Sequence, residues 1–376
     1  MREKKYNSVC DAFFALVRAG LWEREVQLLP YGEIDFSAVQ SVAEEQSVVG
    51  LVAAGLEHVS DMKVPKKDAL QFIGQILQLE QRNQAMNYFI GVIVDIIRKE
   101  GIYTVLVKGQ GIAQCYAKPE WRACGDVDFF LSEENYEKAK AYLRPLASSL
   151  EEERMREKHL RMTIDPWVVE LHGHLYSGLS SRIERELDAV LEDTLHGGNV
   201  RSWDNNGVQV FQLSVENDAF YVFTHILQHF YKGGIGLRQI CDWCRLLWTY
   251  RESLNLGLLE SRIKNAGLMS EWKAFGAFAV DYLGMEASSV PFYSKASKWA
   301  SKARKIRDFV LLSGNFGHNR DTSYYGKYPY VIRKCISFGR QIGDLFRHAR
   351  VFPLDSLRFF PNLFINGVRS AARGEG

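Results

Sequence analysis

Apolar residues recur every three or four positions through the first hundred residues of this chain, then briefly every second position, then every three or four again. The first regime predicts helices. "DFSAVQSVAEEQSVVGLVAAGLEHV" opens with Asp35 or Ser37 as N-cap, and "KKDALQFIGQILQLEQRNQAMNYFIGVIVDIIRKEG" continues in the same style to Gly101, a good helix-ending residue. The second regime predicts short strands: "IYTVLVKG", "VDFFLS", a hairpin in "HLRMTIDPWVVELHGHL" turned at Asp165-Pro166, and "GVQVFQLS" after the Asn206-Gly207 turn. A helix, "EENYEKAKAYLRPL", starts after Ser132. After Ser214 the helical period returns in "NDAFYVFTHILQHFY", "LRQICDWCRLLWTY", "LNLGLLESRIKNAG" and "EWKAFGAFAVDYLG". No internal repeat or low-complexity segment interrupts it. The expected fold class is α+β: a small mixed sheet within 101–213, between helical regions 1–100 and 214–376.

A length of 376 residues, 47% hydrophobic and 24% charged, is ordinary for a globular chain with a large core. The start, "MREKKYNSVCDAFFALVRAG", mimics a signal peptide, but Asp11 and Arg18 interrupt its apolar part, while Phe13, Phe14, Val17 and Leu21 keep helical spacing. The longest apolar run, "YFIGVIVDII", is about half of a membrane span and contains Asp95. A soluble cytoplasmic protein without a membrane span is expected. The six cysteines form no spaced framework and read as reduced thiols. Cys241 and Cys244, in "CDWC", share a helix face with Ile240 and Leu247 and are expected in the core. Charge is uneven: from Lys295 onward there are 16 Lys/Arg against 5 Asp/Glu. That points either to phosphate-rich surroundings (nucleic acid, an anionic membrane surface, a polyphosphate ligand) or to solvated faces of terminal helices.

Candidate chemistry concentrates between residues 105 and 175. Strand alternation puts Asp126 and Asp128 on one face, with Val127, Phe129 and Leu131 directed at the core. Two like charges so close call for a cation, and Mg²⁺ takes one or two carboxylates plus phosphate oxygens. Upstream, "VLVKGQG" runs from a strand through Lys108 and Gly109 into a helix start. There, backbone N–H groups and Lys108 suit a phosphate, and Gln110 lies in the same turn. Arg122, four residues before Asp126 in a loop ending at Gly125, is either a phosphate clamp or a partner of the aspartates. In "PWVVELHGHL", Val168, Glu170, His172 and His174 share one face, so Glu170 is a candidate third carboxylate, for the ion or for the proton of an attacking hydroxyl. These parts suit nucleotidyl transfer with Mg²⁺, or Mn²⁺ in its place. A helical hairpin presenting His225, His229, Arg238 and Asp242, with His172 beneath, is a candidate acceptor pocket. In the bland alternative, Arg238 and Asp242 form an exposed ion pair. Asn315, His318 and Arg320 in "SGNFGHNR" are further candidates for ligand contact, with a helix cap as the simpler account.

Lys108-Gly109, Tyr116, Arg122, Gly125-Asp126, Asp128 and Val169-Glu170-Leu171-His172 together resemble a bacterial family of nucleotidyltransferase-like proteins in the DNA polymerase beta superfamily, whose core reads LKG…Y…R…GDIDLLV…VELHW. The resemblance spans about 70 residues. It implies a polymerase-beta-like core at 101–213, metal ligation by Asp126, Asp128 and Glu170, a phosphate turn at Gly109, and a nucleoside triphosphate substrate. Gly173 stands where the family usually has tryptophan, with His174 beside it to fill part of that wall. The acceptor expected is a hydroxyl of a small molecule, a sugar or a protein. Nucleic acid is not expected, because no alternation of basic and aromatic residues marks a track near the DxD. Two rivals are a DxD glycosyltransferase using a nucleotide sugar, which requires a larger sheet before the DxD, and a non-catalytic nucleotide-binding or toxin–antitoxin-type protein on the same fold.

Overall fold

The structure, a computed structural model, describes residues 2–155, 157–315 and 330–372. Four helices precede the sheet: Arg2–Trp22, Phe36–Glu45, Val49–Leu56 and Lys66–Lys99. Asp35 is the cap of the second, its carboxylate accepting from the Ala38 N–H at 3.0 Å. The periodicity predicts one helix through Val59, but the chain breaks at 46–48, with Ser47 at φ 56°. The reason is tertiary. Buried Gln46 accepts from the Leu237 N–H at 2.9 Å and donates to the Val310 carbonyl at 3.0 Å, so its side chain is tied to the C-terminal helices.

The sheet has seven strands: β1 (Val105–Val107), β2 (Asp126–Phe130), β3 (Ser149–Leu150), β4 (His159–Ile164), β5 (Trp167–His172), β6 (Val200–Asn205) and β7 (Val208–Leu213). Their order is β3-β4-β5-β2-β1-β7-β6, with β2–β5 and β1–β7 parallel and the other neighbours antiparallel. The Asp165-Pro166 hairpin joins β4 to β5, and Asn206-Gly207 turns β6 into β7. Three elements exceed the sequence expectation, the two-residue β3 among them. β6, "VRSWDN", is an edge strand whose exposed alternate positions dilute its apolar signal. Helix Ser181–Leu195, capped by Ser180, buries Ile183, Leu187, Val190 and Thr194 at helical spacing.

One sheet face is apolar. Leu106, Val127, Phe129, Leu131, Leu160, Met162, Val169 and Leu171 pack against Met86, Ile90, Ile93 and Ile97 of helix Lys66–Lys99 and against Tyr136 and Leu143 of helix Glu133–Leu143. Burying Val127 and Phe129 contributes roughly 1.5–3 kcal/mol each. A one-residue slip of β2 would exchange them for the aspartates, so this face sets the register. The opposite face carries Val105, Val107 and Phe130 toward helices Val215–Lys232 and Leu237–Thr249, and with them Asp126 and Asp128. Cys241 and Cys244 are fully buried free thiols, as their helix face predicts. The basic C-terminal helices fold back: Phe352 and Phe359 pack on Phe230 and Tyr231, with ring centroids 6.0 and 4.9 Å apart. No described helix is long and apolar enough to cross a membrane.

Candidate active site

Parallel pairing of β2 with β5 sets Asp128 directly beside Glu170, and Asp126 beside Val168. β1, antiparallel to β2, ends one residue before Lys108, which takes φ 58°; Gly109 follows at φ 46°. A Cβ on Gly109 would sit 3.3 Å from Cys124 Sγ in a backbone region L side chains rarely adopt, so this step requires glycine. The turn folds the Lys108 side chain back over the sheet, placing Nζ 3.0 Å from Asp128 Oδ1 and 5.8 Å from the Tyr221 ring centroid. His172, two positions along β5 from Glu170, presents Nε2 at 2.9 Å from Asp128 Oδ1 and 3.6 Å from Glu170 Oε2. The three acids thus open into one cleft of about 420 Å³, floored by β2, β4 and β5 and walled by helix Val215–Lys232.

Its electrostatics follow from partial burial of like charges. The Asp128 charge, then burial, pushes the Asp126 carboxyl up, and among the described residues no hydrogen bond relieves it. Burial also works against ionised Asp128, but Lys108 and His172 outweigh it and hold that carboxyl well below its usual range. Burial opposes charge on Glu170 as well, yet His159, whose Nε2 is 3.1 Å from Oε2, keeps its pKa low. Burial disfavours the Lys108 ammonium; Asp128, Tyr221, Asp126 and Glu170 raise its pKa all the same. Burial pushes the Tyr221 phenol up to about 12. The carboxylates already hold a cation, the Lys108 ammonium, among them. A set of hard oxygen donors with one partner-poor member, Asp126, fits a divalent ion such as Mg²⁺.

The remaining expectations divide. His225 and His229 face the cleft, their Nε2 atoms 3.1 Å apart. Burial and then Lys108 hold His225 well below its ordinary range and push His229 down to about 3. Arg238 lines the same cleft, its Nη1 donating to the Ala123 carbonyl at 2.6 Å. The exposed Arg238–Asp242 pair does not form. Asp242 is buried and instead accepts from Arg122, Nε to Oδ1 at 2.9 Å and Nη2 to Oδ2 at 2.7 Å, and from the Tyr116 hydroxyl at 2.8 Å. Arg122 therefore pairs with Asp242 rather than with the aspartates of β2. The Gln110 side chain is buried, donating to Asn83 Oδ1 at 2.8 Å, and Gln110 does not line the cleft. Gly125 precedes β2 and does not line the cleft. Position 173 is not part of the wall: a Cβ on Gly173 would lie 2.9 Å from Lys158 Cβ and 3.0 Å from Tyr136 Cγ, on the apolar side of the strand. His174 does line the cleft. Asn315 donates to Ser47 Oγ at 2.7 Å, away from the acids, and His318 and Arg320 lie outside the described residues.

Sequence reasoning missed His159, Arg161 and Tyr221. His159 and Arg161 alternate on β4 exactly opposite His172 and Glu170, so counting back from the Asp165-Pro166 turn would have found them. Tyr221 lies one helical turn before His225, on the face that already carried both histidines.

No curated protein sequence matches this chain, and no solved structure does. A family model described as "Uncharacterised nucleotidyltransferase" matches residues 32–284, a span that holds the whole sheet, the Lys108-Gly109 turn, all three acids and both cleft-facing helices. On that match, over the residues that build the cleft, the chain belongs to this family of uncharacterised nucleotidyltransferases.

Proposed function

We propose that the protein transfers a nucleoside monophosphate from a nucleoside triphosphate to a hydroxyl acceptor with the help of Mg²⁺. The observation that carries this reading is the convergence of Asp126, Asp128 and Glu170 in one cleft beneath the Lys108-Gly109 turn. Asp126 and Asp128 would hold the ion, with Glu170 as third ligand or as acceptor of the hydroxyl proton, for which its lowered pKa keeps it ionised at neutral pH. When bound, the ion supplies charge neutralisation at the phosphates and leaving pyrophosphate. Lys108, whose Nζ lies 3.0 Å from Asp128 Oδ1, would serve the triphosphate beside the ion. Arg238, whose Nε is buried without a hydrogen-bond partner, is a second cation available to phosphate, whereas Arg122 is saturated by Asp242. In this scheme residues 101–213 act as the catalytic core, and His225 and His229 line the acceptor side.

The acceptor classes are a small molecule, a sugar or a protein hydroxyl. A glycosyltransferase reading gains no support: it needs a large sheet ahead of the DxD, and among the described residues β1, three residues long, is the one named strand before β2. The test is melting temperature with each of ATP, GTP, CTP and UTP, with and without Mg²⁺, followed by pyrophosphate release. One triphosphate should raise the melting temperature by several degrees only with metal. Failure of all four in the presence of Mg²⁺ removes the proposal.

A further inference from the structure

Beyond the oxygen-rich pair on β2, the neighbouring strands carry a nitrogen-rich set. We propose that His159, Glu170 and His172 form a second metal site, for a transition-metal ion of borderline softness, with zinc the best match. The ligand atoms, His159 Nε2, Glu170 Oε2 and His172 Nε2, lie within 4.8 Å of one another. Two of the three separations are 3.1 and 3.6 Å. Ligands about 2.0–2.1 Å from a tetrahedral zinc stand about 3.3 Å apart, close to these two edges. The imidazole centroids are 4.7 Å apart, and each ring brings its Nε2 to the same carboxylate oxygen.

The surroundings support a held ligand set. Glu170 divides its oxygens: Oε2 faces the histidines, while Oε1 lies 3.4 Å from Arg161 Nε, and Arg161 Nη1 in turn donates to Glu151 at 3.0 Å. That chain fixes the carboxylate from behind, as outer partners of metal ligands do. His172 Nε2 faces two carboxylates, Asp128 at 2.9 Å and Glu170 at 3.6 Å, and one N–H serves both poorly. The fourth position opens to the cleft. Two imidazoles and one carboxylate select zinc-like ions, whereas the Asp126–Asp128 pair offers only hard oxygen.

The inference does not rest on nucleotidyl transfer, and its test uses no nucleotide. The full chain is stripped of metal, titrated with Co²⁺ and followed by visible absorption, then competed with Zn²⁺. One Co²⁺ per chain should bind with the intense bands of a low-coordinate, nitrogen-ligated ion and be displaced by Zn²⁺. His159→Asn should weaken binding by at least about tenfold, and Asp126→Asn by less than about threefold. Histidine ¹⁵N resonances of the unsubstituted chain give an independent reading, with Zn²⁺ shifting Nε2 of two imidazoles, so a poorly folding variant does not blunt the test. A hexa-aqua Co²⁺ spectrum at saturation, or equal affinity in His159→Asn, overturns the site.

Discussion

Replacing Asp242 with asparagine tests whether this residue is a wall of the substrate pocket or the keystone beneath it. Its carboxylate receives three hydrogen bonds, two from Arg122 and one from Tyr116, and the Arg122 and Asp242 side chains are only 5% and 6% exposed. Burial disfavours the Arg122 guanidinium, but the Asp242 charge outweighs it and keeps the arginine charged. Asparagine retains one acceptor oxygen and points an amide donor at a guanidinium that also donates. A charge-assisted bond is worth about 1.5–3 kcal/mol. Stranding a buried arginine raises the total cost to about 3–5 kcal/mol. Arg238 nearby, its own pKa lowered by burial and by Arg122, adds to the excess positive charge once Asp242 is gone. Equilibrium urea unfolding, followed by the eight tryptophans, measures the loss. Removing both partners, as Arg122→Met with Asp242→Leu, should recover most of it, and Glu134→Gln, on an exposed pair, should leave the midpoint in place. A loss below about 1 kcal/mol in Asp242→Asn would refute the keystone role.

Other outcomes follow from the same geometry. Asp128→Asn should cut pyrophosphate release by at least about a hundredfold while leaving the far-UV dichroism unchanged, since it removes the charge on which Lys108 and His172 converge; wild-type turnover in this variant would place the chemistry elsewhere. Acid should destabilise the fold early. His225 and His229 stay neutral when folded, the latter down to about 3, while the unfolded chain takes up those protons near pH ~6.5. Their contribution is therefore whole above that pH and lost as pH falls, by up to about 1.4 kcal/mol per pH unit for each imidazole. Denaturation midpoints between pH 7 and 4 should flatten in a His225→Gln/His229→Gln variant, and an unchanged slope contradicts the assignment. Gly173→Trp restores the residue usual in the resembling family, yet it should destabilise by about 1–3 kcal/mol, because Lys158 and Tyr136 occupy the space; a neutral melting temperature would show a hidden void.

Legibility in the sequence followed locality. Alternation in "DVDFFL" and "WVVELH" assigned each side chain to a face of its strand, and the structure keeps every one of those assignments. Asp35, Ser132 and the Asp165-Pro166 turn were equally readable, because a cap or a hairpin engages residues only a few positions apart. The same locality misled at 46–48, where buried side-chain bonds to residues 237 and 310 outweigh helical continuity. It misled again at Gln110, whose amide found Asn83 rather than the cleft.

By itself, then, the chain determined that three acids, a lysine-glycine step and two helical histidines would stand on the right faces of the right elements. Only the tertiary structure decided which of them meet. Parallel pairing of β2 with β5 brought Asp128 to Glu170, the β4 hairpin added His159 and Arg161, and packing of helix Leu237–Thr249 drew Asp242 to Arg122 instead of Arg238. Periodicity records how each residue faces its own neighbours in the chain. The partner of a buried charge is whichever opposite charge the apolar faces carry to it, and that depends on how all of those faces pack at once.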